Sequence, residues 1–261
     1  MNKLIYSLRA LKIGESKAPG PINFYLSHWE ELEYGPHYIW LVQGGGRTIL
    51  INTGLPQDPI DLEILNATCR AAHPENFFPP DRIWPPQQVL AELGVKAEAV
   101  DTILIISMGS YATGNIELFP NADVYLSRRG WIDFLAPERP SALARQVVFP
   151  DATLKYLVTR GRDRLHLVGD EDDILMGITM FWVGCHHRGS MAVAIETAKG
   201  TVVLSDSIFR YDNFDKGIPI GALENIFECQ EALERIRGLA DVIIPTHDAD
   251  VLVRYPMGII A

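Results

Sequence analysis

Short apolar runs separated by turn residues mark the first half of the chain as a series of strands. Residues 38–42 (YIWLV) and 48–51 (TILI) flank three glycines at 44–46, which predicts a β-hairpin because glycine enters tight turns at little steric cost. Residues 100–106 (VDTILII) and 122–126 are further apolar runs of strand length. We predict that both are buried strands.

Segments with helical signals lie among these strands. Pro86 is placed to open a helix over 87–93, and Gly94 is placed to end it. Residues 128–135 are also predicted to be helical. In 222–237, apolar side chains recur near helical spacing, which predicts an amphipathic helix.

The second half repeats this alternation without repeating the sequence. Residues 174–183 alternate as strands do, and 190–196 and 201–204 predict a second hairpin around a Lys-Gly turn. Residues 241–245 (DVIIP) predict a closing strand. Strands with helices between them, in two similar halves, predict an α/β fold with two sheets packed between helical layers.

We expect one domain over residues 1–261. A chain of 261 residues that is 48% hydrophobic can build one large core, and no internal repeat or low-complexity linker divides it. Residues 55–85 are rich in proline, asparagine and aspartate. They are predicted to form an inserted cap or loop, with a short helix over 64–72.

Charge and hydropathy narrow the range of partners. A net charge of −10 without a basic stripe argues against nucleic-acid binding, because phosphate contacts need clustered positive charge. No apolar stretch approaches the roughly 20 residues that span a bilayer, and residues 1–15 lack the features of a signal peptide, so we expect no membrane contact. Cys69, Cys185 and Cys229 are widely spaced, which predicts no disulfide framework and favours a cytoplasmic location. A small-molecule substrate is the expected partner, and a homodimer remains open.

Polar residues concentrate in four segments that follow predicted strands. These segments are 107–115 (SMGSYATGN), 184–190 (GCHHRGS), 205–207 (SDS) and 245–248 (PTHD). Loops at strand ends are where a rigid scaffold brings ligands together, so we expect one site built from all four.

An ordered set of motifs carries a family resemblance. The motifs are ILINTG (49–54), LGVKAEAVDTILIIS (93–107), GCHHRGSM (184–191), VVLSD (202–206) and IIPTHD (243–248). In this order they resemble the proteins of the metallo-β-lactamase fold, and the layout is most similar to the N-acyl homoserine lactonase branch. The resemblance covers roughly residues 36–250. It implies a four-layer αββα sandwich of two mixed sheets flanked by helices, with a metal-dependent hydrolase site.

The resemblance also implies that this site is reduced. The four ligand positions of the family's His-x-His-x-Asp-His motif fall on Met108, Ser110, Ala112 and Thr113. The remaining ligand positions match His186, Asp206 and His247, and the Asp of the family's Asp-Thr-Gly turn is Asn52. The same three matching residues are therefore the candidates for both metal binding and catalysis.

Three donors limit the metal that such a site could hold. A catalytic zinc needs about three protein ligands and an open position for water, and a pair of ions needs more. His186, Asp206 and His247 could hold one divalent ion, zinc or, as the second choice, iron. In the family pattern the two histidines serve different ions bridged by the aspartate, so one shared ion would require side-chain shifts. A site without metal is the other expectation.

Five residues are candidates for substrate binding. They are Ser110, Tyr111, Arg188, Phe209 and Tyr211. An arginine can bind a substrate carboxylate through two parallel hydrogen bonds, and aromatic side chains can line a pocket. The structural alternatives are loop hydrogen bonds for the serine, a solvated charge for the arginine, and core packing for the aromatics.

The general base is not defined by the pattern, because Ala112 stands where the family has a carboxylate. The candidates for a base are His187, Asp248, Tyr111 and His37. Met108 is predicted to fill space as an apolar side chain. Cys185 is predicted to be a small buried residue, with thiolate chemistry beside His186 as the alternative.

Three functions follow from these observations. The favoured one is a lactonase-like hydrolase or lytic enzyme that acts on a small lactone, ester or amide, with one metal ion or none. The second is a non-catalytic descendant of the fold that binds a small molecule or a protein. The third is a mononuclear redox enzyme with a 2-His-1-carboxylate site, which would require iron.

Overall fold

The computed structural model describes residues 4–138 and 144–261, in which the strands form two sheets. The strands are β1 (Ser7–Pro19), β2 (Leu32–Gly44), β3 (Arg47–Ile51), β4 (Thr102–Leu104), β5 (Asp123–Ser127), β6 (Leu165–Val168), β7 (Glu171–Leu175), β8 (Ile178–Trp182), β9 (Met191–Thr197), β10 (Gly200–Ser205) and β11 (Val242–Ile244). The α-helices are α1 (Gly20–Asn23), α2 (Pro59–Ala72), α3 (Pro86–Ala91), α4 (Ser110–Thr113), α5 (Arg128–Leu135), α6 (Asp151–Val158), α7 (Tyr211–Asp215), α8 (Ile226–Leu239) and α9 (Asp250–Arg254).

The first sheet has six strands in the order β1-β2-β3-β4-β5-β6. The pairs β1–β2 and β2–β3 are antiparallel, and the strands from β3 to β6 are parallel. Gly45 and Gly46, both at positive φ, make the turn between β2 and β3. The predicted first hairpin is therefore confirmed, and the parallel strands place their carboxyl ends at one edge of the sheet.

The second sheet has five strands in the order β11-β10-β9-β8-β7. The pairs from β7 to β10 are antiparallel, and β10 pairs with β11 in parallel. The predicted second hairpin is confirmed as β9 and β10. Gly200 starts β10 at a φ of 95°, a conformation that glycine adopts without strain.

The two sheets pack face to face through alternating side chains. In β2, Tyr38, Trp40 and Val42 belong to the core between the sheets. Ile39 and Leu41 belong to the core on the opposite face of the same strand. Because successive side chains of a strand point to opposite faces, a strand buried on both sides has the continuous apolar run seen in the sequence.

Helices cover the outer face of each sheet. On the second sheet, Ala232, Leu233 and Ile236 of α8 pack against Phe181 and Val203. Helices α2, α3, α5 and α6 cover the first sheet, with core contributions from Leu65, Leu90, Trp131, Phe134 and Leu157. The four-layer arrangement implied by the resemblance is confirmed. In the described part of the chain, no helix has the length and apolarity that crossing a membrane requires.

Strand β1 and helix α6 were not predicted. The alternation of β1 is broken by a register shift between Lys12 and Gly14, so its pattern does not keep a period of two. Helix α8 begins later than predicted because Asn225 caps it, accepting hydrogen bonds from the amides of Phe227 and Glu228. Helix α5 has the predicted bounds.

The segment 55–85 contains α2, which begins earlier than predicted. Asp58 caps this helix by accepting from the amides of Ile60 and Asp61, and Pro59 occupies its first position. Leu65 of α2 packs into the outer core and also lines a cavity of about 930 Å³. A cap or substrate-side role for the segment stays a prediction.

Candidate active site

A buried carboxylate, Asp206, lies at the carboxyl end of β10 with a histidine on either side. His186 Nε2 lies 3.8 Å from Asp206 Oδ2, and His247 Nε2 lies 3.4 Å from Oδ1. The Thr246 hydroxyl donates to the same Oδ1 at 3.2 Å. The Asp206 side chain is 2% exposed, so these contacts replace water almost completely. The structure thus brings together the three residues that match the family's remaining ligands.

Hydrogen bonds fix which nitrogen of each ring carries the proton. His186 Nδ1 contacts the Ala222 carbonyl, and His247 Nδ1 lies 3.2 Å from the Pro36 carbonyl. Because a carbonyl accepts, Nδ1–H donates in both cases, and each Nε2 lone pair faces Asp206. A nitrogen lone pair and a carboxylate that face each other repel. The arrangement is stable when a proton on Nε2 or a cation lies between the two groups. Carbonyl contacts of this kind also orient metal-binding histidines.

Asp206 is ionised at neutral pH. Burial alone would raise its pKa, but when His186 and His247 each carry a second proton on Nε2, the hydrogen bond from His247 and the charges of both rings outweigh burial. A further hydrogen bond from Ser107 acts in the same direction, and the pKa of Asp206 is held below its usual range. A buried negative charge needs a compensating positive charge, so the site is built to hold a proton or a cation beside this carboxylate.

Tyr111, in α4, fills the space between His186 and Asp206. Its hydroxyl donates to Asp206 Oδ2 at 2.7 Å and lies 3.1 Å from His186 Nε2. Ser107 Oγ lies 2.5 Å from the same phenol oxygen. Burial, followed by the charge of Asp206, holds the pKa of Tyr111 well above its ordinary value. With no cation beside it, the phenol therefore keeps its proton.

A turn after β3 holds the loop after β4 in place. Asn52 adopts a φ of 60°, and its side-chain oxygen accepts a 3.1 Å hydrogen bond from the Ile106 amide. The Thr53 hydroxyl donates to the Ala112 carbonyl at 3.0 Å. Asparagine tolerates this left-handed conformation better than most residues. Asn52 therefore has a structural role where the family has an aspartate.

Met108 fills space at the start of this loop, as predicted. It is buried and belongs to the outer core. A Cβ atom built on Gly130 or Gly189 would lie 2.4 or 2.5 Å from its sulfur, so only glycine leaves room for the thioether at these positions. The side chain thus joins the loop after β4 to the loop after β8.

His187 connects to the same hydroxyl groups from the other side. The Gly189 amide donates to its Nδ1 at 3.1 Å, and its Nε2 lies 2.9 Å from Ser107 Oγ. Burial, followed by the charge of His186, lowers the pKa of His187 to about 3. The Met108 amide lies 3.2 Å from the same Nε2, so backbone amides approach both ring nitrogens, and the contact with Ser107 extends the network that ends at Asp206.

Acidification should destabilise the protein below about pH 6.5. The pKa of His187 is about 3, and burial holds the pKa of His37 well below its ordinary value. In the unfolded chain both rings titrate near pH 6.5, so the unfolded state binds more protons and the free energy of unfolding falls as the pH falls. Each ring contributes a slope of up to about 1.4 kcal/mol per pH unit.

Urea unfolding of chelator-treated protein between pH 7 and pH 5 measures this slope. His187→Gln should flatten it, because glutamine does not titrate in this range. His166→Gln is the matched control, since His166 is exposed and pairs with an equally exposed Asp123. A slope that is the same in the unaltered protein and in His187→Gln would contradict the assignment.

A disulfide joins Cys185 to Cys229 of α8, so the expectation that the cysteines are unpaired was wrong. Both residues are buried, and spacing alone does not identify such a pair. Cys185 holds a φ of 66° directly before His186, and its amide donates to Glu228 Oε2 at 3.1 Å. The disulfide and this hydrogen bond fix the backbone that presents His186. Cys185 has no thiolate to offer, and the cytoplasmic expectation loses the support that it drew from unpaired cysteines.

The histidines open onto a cavity of about 930 Å³. Five polar side chains of its lining lie close to one another and form what we term the polar end: His37, Tyr111, His186, His187 and His247. Other polar side chains of the lining include those of Asn23, Asp133, Arg145 and Glu224. Apolar walls come from residues that include Leu65, Phe78, Phe134, Val148 and Leu223. A mostly apolar pocket with a few convergent polar groups is typical of small-molecule sites.

No protein-family model matches the chain, and no curated protein matches its sequence. Solved structures do match it. An N-acyl homoserine lactone hydrolase, with N-hexanoyl-L-homoserine bound at its catalytic metal center, has a TM-score of 0.75 at 16% identity, covering 97% of each chain. A probable metal-dependent hydrolase from Staphylococcus aureus has a TM-score of 0.72 at 16% identity, covering 95% of this chain and 91% of that one. The hydrolase AbOPH of the beta lactamase superfamily has a TM-score of 0.68 at 18% identity, covering 99% and 92%.

The chain has the metallo-β-lactamase fold. The fold expected from the ordered motifs is confirmed. At these identities the shared property is the fold, and the chemistry has to be argued from the site of this chain.

In this metallo-β-lactamase fold, the loop after β4 has no side chain of the usual metal-binding types. Residues 107–115 contain no His, Cys, Asp or Glu. Ser110, Ala112 and Thr113 are buried within α4, and Met108 belongs to the core. The candidate donors of this chain therefore come from the other three polar segments and from Tyr111.

Three of the candidate donors lie close enough to share an ion. The ligand atoms of His186, His187 and Asp206 lie within 4.8 Å of one another, and His247 lies outside this group. The ring of Phe209 is in edge contact with both His186 and His247, at centroid distances of 5.3 and 4.9 Å. An ion shared by His186 and His247 would require side-chain movement, and the set His186, Asp206 and His247 stays a prediction.

The cavity includes three of the five substrate-binding candidates, Tyr111, Arg188 and Phe209. The other two lie outside the lining that the structure describes. Ser110 is fully buried within α4, and its hydroxyl finds no hydrogen-bond partner among the described residues. Tyr211 packs under Arg254, whose guanidinium carbon lies 3.5 Å from its ring centroid. These positions give neither side chain access to the cavity.

Arg188 lies at the cavity but is already paired. Its guanidinium donates to Glu228 Oε1 at 3.0 Å and lies over the ring of Trp182. The same glutamate accepts from the Cys185 amide. Arg188 thus helps to fix the loop after β8, and a role in binding a substrate carboxylate would require it to leave this partner.

Asp248 and His37, two further candidates for a base, differ in their surroundings. The Asp248 carboxylate accepts from the Tyr211 amide at 2.8 Å and from the start of α9 at 2.9 Å, so backbone groups occupy both oxygens. His37 lies 4.4 Å from the ring of His247 and contacts Ser16 Oγ through Nε2. Its Nδ1 is buried without a partner in the described residues. His37 is therefore the better placed of the two to meet a ligand.

Proposed function

We propose that this protein is a hydrolase that cleaves a small lactone, ester or amide at the polar end of the cavity. One observation carries the proposal: an ionised, buried Asp206 lies between the Nε2 atoms of His186 and His247. Both histidines line a largely apolar cavity that is large enough for a small acylated substrate. The three solved structures that were compared with this fold are described as hydrolases, which supports the same reaction class for this protein.

His186 and Asp206 are suited to hold a divalent ion. The Ala222 carbonyl fixes the His186 tautomer, so the Nε2 lone pair and a carboxylate oxygen face the same space. Imidazole and carboxylate are both ligands for zinc and iron. When bound, such an ion would polarise the substrate carbonyl and lower the pKa of a water molecule.

His247 is placed to move the proton. Its Nδ1–H is held by the Pro36 carbonyl, which leaves Nε2 free to accept a proton from the attacking water. Asp206, 3.4 Å away, stabilises the imidazolium that results. The imidazolium then returns the proton to the leaving alkoxide or amine as the carbon–oxygen or carbon–nitrogen bond breaks.

A substrate panel tests this function. It contains N-hexanoyl-homoserine lactone, simple γ-lactones, aryl esters of increasing chain length and N-acyl amides, each assayed with zinc, with iron(II) and with chelator. We expect turnover of at least one class. His247→Ala should lower it by about 10²-fold or more, because a positioned general base contributes about 10²–10⁴-fold.

His166→Ala is the control for this substitution, since His166 lies on β6 beside an exposed Asp123. It should leave turnover unchanged. His186→Ala should remove turnover as His247→Ala does. Unchanged turnover in both site variants would rule out the mechanism.

A second candidate is binding without catalysis. It is favoured by the hydrogen-bond network from His187 through Ser107 and Tyr111 to Asp206, which pairs the polar atoms of the site with one another. In that case, no member of the panel turns over under any metal condition. A panel member would instead raise the melting temperature, and the His247→Ala substitution would change that shift.

A further inference from the structure

Three donor atoms from three different segments surround one point in the site. Tyr111 Oη lies 2.7 Å from Asp206 Oδ2 and 3.1 Å from His186 Nε2, and the last two atoms are 3.8 Å apart. A circle through three atoms at these distances has a radius of about 1.9 Å, and zinc–nitrogen and zinc–oxygen bonds are about 2.0–2.2 Å. An ion slightly above the plane of the three atoms is therefore within bonding distance of all three without a large movement.

The hydrogen bonds of the same atoms are incomplete. A neutral His186 donates through Nδ1 to the Ala222 carbonyl and can only accept at Nε2, and the Asp206 carboxylate accepts as well. The phenol of Tyr111 has one proton to offer to these two groups. If the phenol donates to Asp206, His186 Nε2 faces a lone pair of the phenol oxygen at about 3 Å, and the reverse holds if it donates to His186. An unpaired acceptor of this kind is unfavourable in a buried site. A cation in place of that proton satisfies all three donors at once.

We propose that Tyr111 is a metal ligand, and that its phenol oxygen, His186 Nε2 and Asp206 Oδ2 together bind one zinc or iron(III) ion. Tyr111 thereby supplies, from the loop after β4, a donor that the residues at the neighbouring motif positions cannot. The Ser107 hydroxyl, hydrogen-bonded to the phenol oxygen, orients it. Phenolate, carboxylate and imidazole together suit zinc and iron(III) better than copper(I), which prefers sulfur ligands.

This ligand set leaves His247 outside the coordination sphere. His247 faces the other oxygen of Asp206 and lies outside the group of close ligand atoms. It can therefore accept a proton, which is the role given to it in the proposed reaction. The metal site shares His186 and Asp206 with that reaction, but metal binding can be measured without any substrate.

Metal binding by chelator-treated protein tests the proposal. Titration with zinc sulfate in a calorimeter should show one ion per chain. Titration with iron(III) nitrilotriacetate should produce the visible charge-transfer band of a phenolate–iron(III) bond. Tyr111→Phe should raise the zinc Kd more than about 100-fold, beyond the roughly 10–100-fold loss typical of a residue that only orients a ligand. The same variant should lose the visible band.

Two control variants separate coordination from indirect effects. Tyr125→Phe removes a phenol from β5, where the ring stacks on His166, and should keep both zinc affinity and the band. Ser107→Ala should weaken zinc binding less than Tyr111→Phe and keep the band. If Tyr111→Phe does not fold, the band in the unaltered protein still decides the question.

Two results would overturn the proposal. In one, the unaltered protein binds neither metal. In the other, Tyr111→Phe binds zinc as tightly as the unaltered protein or more tightly, which would mean that the phenol merely occupies the space. Neither result depends on hydrolysis, so this proposal and the proposed function fail separately.

Discussion

Replacing Asp206 by asparagine should lower turnover by about 10⁴-fold, the scale of loss when a buried carboxylate that supports an imidazolium is neutralised. Asparagine has nearly the same volume as aspartate but carries no charge. Its amide group would present N–H donors where His186 Nε2 or His247 Nε2 now faces a carboxylate oxygen. The substitution therefore removes the counter-charge of both rings and one proposed metal ligand, while the packing around β10 is kept.

The measurement is kcat/KM on whichever panel substrate is hydrolysed, with zinc in excess. Asp170→Asn is the matched control, because Asp170 is exposed and its ion pair with Arg129 lies on the surface. That variant should keep full activity. Similar activity in Asp206→Asn and Asp170→Asn would contradict a central role for the buried carboxylate. Melting temperatures of both variants establish that a loss at position 206 is not caused by unfolding.

The sequence predicted the convergence of the site because strand order controls it. Residues after β4, β8, β10 and β11 lie at the ends of strands that pack in one sandwich, so polar segments that are far apart in the chain meet at one edge. Asp206, His186 and His247 follow this rule and are brought together. The fold was predictable because buried strands and amphipathic helices leave strong patterns of hydrophobic residues in the sequence.

The central position of Tyr111 could not be read from the sequence. It stands between motif positions, where the resemblance assigns no ligand. The direction of its side chain depends on the position of the single turn of α4. Asn52 and Thr53 fix that position through hydrogen bonds to Ile106 and Ala112. Such contacts depend on side-chain geometry across a long sequence separation, and no local pattern encodes them. A tyrosine between motif positions that have lost their metal ligands was the available signal.

The disulfide was missed for a related reason. Three cysteines allow three different pairings, and spacing does not choose among them. Cys185 and Cys229 are 44 residues apart and meet because α8 packs over the second sheet beside the loop after β8. Strand β1 was missed because its register shift disrupts the alternation by which strands are recognised. Both features follow from tertiary packing rather than from local sequence.

Reduction of the disulfide should lower the free energy of unfolding by about 4 kcal/mol at 25 °C. A cross-link between residues 44 apart removes loop-closure entropy from the unfolded chain, and the chain-entropy estimate for such a loop is about 4 kcal/mol. Domains of this kind are stable by about 5–15 kcal/mol, so the loss is a large part of the total. The effect should also reach the site, because Cys185 holds a left-handed backbone directly before His186.

Urea unfolding with and without a strong thiol reductant separates these effects through paired variants. Cys229→Ala should show the reduced stability under both conditions, since it has no disulfide to lose. Cys69→Ala alters the unpaired cysteine and should respond to reductant as the unaltered protein does. A reductant that penetrates the fold yet leaves the unaltered protein as stable as before would exclude a stabilising disulfide. In Cys229→Ala, the freed Cys185 backbone should also misplace His186, so zinc affinity should fall together with stability while Cys69→Ala keeps both.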